Sequence, residues 1–141
     1  MTTILIAEDN AMVGMMMQLD LEAAGYAVLG PFARSAAALE AAEAQPPALA
    51  LLDIDLAGGD SGIDLAARLR ERWSVPCLFV TGQGVDAASA RELALGVMTK
   101  PFRSETLVAA VEDALAVAAG ETEVRFAPRA IEAVSWFHQT G

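Results

Sequence analysis

Short apolar runs alternate with longer amphipathic stretches along the chain. "TILIA" (Thr3–Ala7) reads as a buried strand. "AMVGMMMQLDLEAAG" follows at helical spacing, with Met12, Met16, Leu19 and Ala23 as its apolar stripe and Gly25 as its C-terminal stop. "YAVLG" predicts a second strand. The Ala-rich "SAAALEAAEAQ" predicts a second helix, ended by Pro46-Pro47. "ALALLDI" is the third strand. "SGIDLAARLRERW" is the third helix, opened by a Ser61/Asp64 capping box. "VPCLFV" is the fourth strand, and a faint helical pattern around "DAASARELA" leads to the short strand "GVMT". "SETLVAAVEDALAVAAG" then repeats Val108, Val111, Leu115 and Ala118 on one helical face.

Five strand–helix units of this kind predict an α/β fold: a doubly wound, five-stranded parallel sheet in the flavodoxin-like order 2-1-3-4-5, with helices on both faces. The 141 residues divide into a domain over 1–120 and a C-terminal extension over 121–141. In the extension, Pro128 is placed to open a short helix, with Ile131, Val134 and Phe137 as its apolar stripe and Trp136 beside it. Three readings of that stripe stay open: packing on its own domain, a homodimer contact or exchanged tail, and a partner site.

The formal net charge of −10 argues against nucleic acid and anionic membrane as partners, since both need Lys/Arg clusters. No stretch is long and apolar enough to span a membrane, and the N-terminus lacks the pattern of a secretion signal. The lone Cys77 has no disulfide partner, which suits a reducing cytoplasm. The extension is too short and too weakly basic for a DNA-binding output domain.

In doubly wound sheets ligands bind beyond the carboxyl ends of the strands. Glu8 and Asp9 end strand 1. Asp53 ends strand 3, with Asp55 two residues on. Thr81 ends strand 4, and Thr99-Lys100-Pro101 ends strand 5. Carboxylates brought together repel unless a positive charge sits among them. Mg²⁺ and a lysine answer that need, and Mg²⁺ often also binds phosphate oxygens. An aspartate can carry a phosphoryl group, and phosphoryl transfer asks mainly for positioning and charge neutralisation. Each element also has a plainer use. Asp9 or Asn10 would cap a helix, and an Asp, a Thr-Gly or a Lys-Pro after a strand often only turns the chain.

The motifs "ILIAEDN", "ALLDIDLAGGDSGIDLA", "LFVTGQG" and "VMTKPF" together resemble the receiver domain of bacterial two-component response regulators, over about Thr3 to Gly120. The resemblance implies Asp53 as phosphoacceptor, with Thr81 and Lys100 contacting the phosphoryl group. It implies Mg²⁺ held by Asp9 directly, by Glu8 through water, by Asp53, and by the backbone carbonyl of Asp55. It also implies a cis Lys100–Pro101 bond. The implied donor is a histidine kinase or histidine phosphotransfer protein, and the implied output is contact with a downstream regulator protein. No turnover enzyme is implied, only self-phosphorylation and autodephosphorylation.

Two departures stand out. Val97 occupies the position, three residues before the lysine, where receivers usually carry an aromatic switch. The 19 positions from Thr81 to Lys100 are fewer than usual. With "FVTGQG", these features resemble the mostly single-domain FAT GUY receivers, several of them tied to general stress signalling. Gly82 is expected to leave room at the phosphoryl pocket, and the Gly82–Gly84 loop is expected to move on activation. Two other classes compete. An interaction module that is not phosphorylated is one. An aspartate-nucleophile phosphatase using Asp53-Ile-Asp55 is the other, though such enzymes usually carry a cap domain.

Overall fold

A computed structural model of the chain describes residues 1–82, 93–120 and 134–136. The elements are β1 (Thr3–Ala7), α1 (Ala11–Ala23), β2 (Ala27–Phe32), α2 (Ser35–Ala44), β3 (Leu49–Leu52), α3 (Gly62–Trp73), β4 (Cys77–Thr81), β5 (Gly96–Thr99), α4 (Ser104–Ala118) and β6 (Val134–Trp136). The sheet order is β2-β1-β3-β4-β5-β6. The first five strands are parallel, in the expected 2-1-3-4-5 order.

The apolar runs are continuous because the central strands are covered on both faces. Ile4, Ile6, Leu49, Leu51, Leu78, Val80 and Met98 point to one side, where α1 brings Met17 and Leu21 and α4 brings Leu107, Ala110, Val111 and Ala114. Leu5, Ala7, Ala50, Leu52, Cys77, Phe79 and Val97 point to the other, against Ala38 and Ala42 of α2 and Leu65, Ala66 and Leu69 of α3. The alternation follows from the two-residue period of a strand.

Local signals end the helices much as the sequence predicts. Gly25 follows α1 in a left-handed conformation, φ +100°. Ser61 Oγ accepts from the amides of Ile63 and Asp64 at the start of α3. Lys100–Pro101 is cis, and so is Gly30–Pro31, which the sequence reading did not anticipate.

Three expectations need correction. In α1 the inward residues are Gly14, Met17 and Leu21, while Met12, Met16, Leu19 and Ala23 face solvent. The reason lies at Gly14, where a Cβ would come within 2.8 Å of Pro31. That close approach turns the glycine side of the helix toward β2. In α4 the core face is Leu107, Ala110, Val111 and Ala114; Val108 and Leu115 sit half-buried at its margin, and Ala118 is exposed.

In the extension, Val134–Trp136 form not a helix but a strand, antiparallel to β5, with Met98↔Val134, Val97↔Ser135 and Gly96↔Trp136 in register. A free sheet edge offers unpaired amides and carbonyls, and three extended residues satisfy them better than a helical turn does. The remainder of the expected tail helix (128–133 and 137) and most of the faint helix around 86–94 lie outside the described residues.

Candidate phosphoacceptor site

The acidic pair sits at the end of β1 and the start of α1. The Glu8 amide donates to Phe32 O (2.8 Å), which ties the end of β1 to β2. Asn10 is the residue that caps α1, its Oδ1 accepting from Val13 N at 3.0 Å. Asp9 is therefore not used in capping and stays exposed. Glu8 is buried, and its Oε2 accepts from the Asn10 amide at 3.0 Å.

Asp53 leaves β3 with its amide donating to Ala7 O (2.9 Å). Its Oδ1 accepts from the Asp55 amide at 3.2 Å. Its Oδ2 accepts from Lys100 Nζ at 2.9 Å. The same ammonium lies 2.6 Å from Glu8 Oε1. Thr81 is buried at the end of β4, opposite Thr99, and its carbonyl accepts from the Lys100 amide at 2.9 Å. Strand ends from β1, β3, β4 and β5 thus supply one rim. Glu8, Asp9, Asp53, Thr81 and Lys100 stand on it as the sequence predicts.

Burial and pairing set the charges. Burial alone would lower the pKa of Lys100, but the Glu8 and Asp53 carboxylates outweigh it and hold the ammonium above its usual range. Glu8 is pushed up, first by burial and further by the Asp53 charge, against the pull of Lys100 and the Asn10 amide. Carboxylate oxygens of Glu8, Asp9 and Asp53 lie within 4.8 Å of one another. An all-oxygen set, one member exposed to solvent, fits a hard cation that keeps part of its hydration. Asp55 meets Asp53 through its backbone amide, and its side chain is exposed.

The sequence reading missed Gly62, the first residue of α3. A Cβ there would overlap Asp53 O and lie 2.8 Å from Asp53 C, and the Gly62 amide donates to Ile54 O at 2.7 Å. The helix start is pressed onto the backbone of the acidic residue, which only glycine permits. The pair "SG" ahead of an amphipathic run was the available signal. By contrast, among the described residues no atom beyond its chain neighbours lies within 4 Å of the position a Cβ would take at Gly82. Gln83 and Gly84 lie outside the described residues.

A five-stranded parallel sheet with an acidic cluster, a buried threonine and a lysine at its carboxyl rim defines a receiver-type signalling domain. The response regulator receiver domain family matches residues 4–112, and the chain belongs to that family. It is 33% identical over 116 residues to the phyllosphere-induced regulator PhyR of Methylorubrum extorquens, covering 81% of this chain and 43% of that protein. It is 31% identical over 117 residues to the transcriptional regulatory protein PdtaR of Mycobacterium tuberculosis, covering 77% of this chain and 54% of that protein. The chain therefore spans about half the length of these curated relatives. Among solved structures, a CheY-like receiver domain protein from Methanospirillum hungatei superposes with a TM-score of 0.77 at 25% identity, covering 86% of this chain and 98% of that one. PhyR from Brucella abortus gives 0.71 at 28% identity, covering 86% and 50%. Membership places the chain in two-component signalling, among domains that interact with kinases or other regulators.

Proposed function

We propose that the chain is a phosphorylation-controlled receiver that takes a phosphoryl group onto Asp53 and signals through protein contacts. The observation that carries the reading is the placement of Asp53, with one oxygen 2.9 Å from the Lys100 ammonium and the Glu8 and Asp9 carboxylates beside it. In the step itself an Asp53 oxygen attacks phosphorus in line. A P–O bond forms, the phosphohistidine P–N bond breaks, and the donor imidazole leaves with the electron pair. Lys100 neutralises charge on the phosphoryl oxygens, and the Thr81 hydroxyl donates to one of them. Glu8, Asp9, Asp53 and the Asp55 carbonyl would hold Mg²⁺, which supplies further neutralisation when bound. Turnover is limited to self-phosphorylation and autodephosphorylation.

The donor is a histidine kinase or histidine phosphotransfer protein. Its imidazole has to reach Asp53 at the rim, so its body has to cover the flank of the site. Met12, Met15, Met16 and Leu19 line the outer face of α1 immediately after the Asn10 cap, each more than half exposed. Adaptable methionines suit a docking surface for an apolar helical face. Among the described residues no helix is long and apolar enough to cross a membrane, and burial pushes the Cys77 thiol up to about 12. The cytoplasm is the proposed place of action. The phosphatase alternative asks for the Asp55 carboxyl to work as acid and base, whereas Asp55 turns its amide to Asp53 and its side chain to solvent.

Acetyl phosphate with Mg²⁺ tests the reading. Mass analysis is expected to show one phosphate per chain, absent from Asp53→Ala. Intact protein that acquires no phosphate from any donor would indicate an unphosphorylated interaction module. Rapid turnover of a small phosphate ester would indicate the phosphatase.

A further inference from the structure

The strand that delivers Lys100 is hydrogen-bonded on both sides. Its inner side pairs with β4 through four residues, Gly96 to Thr99. Among the described residues its outer side pairs with β6 through three, with Met98↔Val134 two residues before Lys100. Trp136 is half-buried and packs against the cluster that holds Met98, Leu107 and Val111. Among the described residues the edge ladder is the shorter of the two, and only its inner side is backed by another strand.

We propose that Val134–Trp136 is a detachable edge strand, docked on β5 while Asp53 is unmodified and released when Asp53 carries a phosphoryl group. This inference rests on Asp53 being the phosphoacceptor. In the unmodified site Lys100 is drawn inward by two carboxylates, at 2.6 and 2.9 Å. Forming the acyl phosphate removes the negative charge from the Asp53 carboxylate and places it on the phosphoryl oxygens, farther along the side chain. The ammonium follows that charge, and the end of β5 moves with it. The inner ladder is continuous through Thr99 and flanked by buried strands. The outer ladder is short, lies at the sheet edge, and meets the displacement at its Met98↔Val134 end. It is the pairing that yields. The freed edge then offers its amides and carbonyls to another extended chain.

Coupling is reciprocal, so a β6 weakened by mutation favours the phosphorylated state. The experiment uses the full chain, Mg²⁺ and beryllofluoride as phosphoryl mimic. In a Trp73→Phe background, saturating mimic is expected to shift Trp136 emission to the red and raise its quenching by acrylamide, with no change in Asp53→Ala. In calorimetry, Trp136→Ala is expected to bind the mimic about fivefold more tightly than the parent, the low end of typical coupling. Bound mimic with unchanged Trp136 emission and quenching would overturn the edge-strand release alone, and so would a Trp136→Ala affinity that is equal or weaker. Failure of the parent chain to bind the mimic, together with no phosphate adduct, would defeat the proposed phosphorylation and the release with it.

Discussion

Helices α1 and α3 both start beside the acidic rim, yet they use their surfaces in opposite ways. The α3 helix buries Leu65, Ala66 and Leu69 and turns Arg68, Arg70, Glu71 and Arg72 to solvent. Its first residue presses on the Asp53 backbone. The α1 helix buries only Gly14, Met17 and Leu21 and leaves Met12, Met15, Met16 and Leu19 exposed. One helix is a support, with a single apolar face and a solvated back. The other has more apolar surface than its own core can cover, and the excess lies next to the site. That contrast separates residues that hold Asp53 in place from the exposed apolar surface that the proposed function assigns to a partner.

The contrast can be broken at three points. The largest effect is expected for Gly62→Ala, because the new methyl meets backbone rather than a flexible side chain. The expected loss is ~3 kcal/mol or more in urea unfolding, at the upper end for overpacking, with slower phosphate uptake from acetyl phosphate as Asp53 shifts. Wild-type stability for this variant would remove α3 as the support of Asp53. Next comes Leu69→Ala, which empties a fully buried site in the same helix. About 2–5 kcal/mol of stability should be lost. The residual folded protein should still be phosphorylated on Asp53, since Leu69 is part of the α2–α3 core and not of the rim. The smallest stability effect is expected for Met16→Ser on α1, within about 0.5 kcal/mol, as for exposed sites generally. Phosphate uptake from acetyl phosphate should be unchanged while transfer from a protein donor slows. Equal slowing with both donors would show that Met16 acts on the site and not on docking.

The two helices also explain what the sequence made legible. The α3 residues alternate apolar and charged with a helical period, so its inner face could be read directly. The α1 stretch is apolar on nearly every side, so several stripes fit equally well and periodicity chose the wrong one. Gly14 against Pro31 decides the matter, and that contact joins residues 17 positions apart. The rim residues were legible for a different reason. Polar groups directly after buried strands have few positions to occupy, and a parallel sheet aligns them along one edge. Their pairing was not legible. Lys100 engaging both Glu8 and Asp53 depends on where β5 lies relative to β1 and β3. The Gly62 contact was hidden as well, since a glycine before a helix reads as an ordinary start.

The alternation of short apolar and longer amphipathic segments, by itself, determined the parallel sheet, and the residues after each strand determined the acid, hydroxyl and ammonium groups at its rim; the strand order was the expected one for five such units. These follow from local burial patterns and from the handed, regular connections of strand–helix units. Tertiary structure alone decided which side of α1 faces outward, how Lys100 is shared between two carboxylates, and that Val134–Trp136 extend the sheet. Each of these is a contact between distant segments, where several arrangements satisfy the local pattern and only the packed whole selects one.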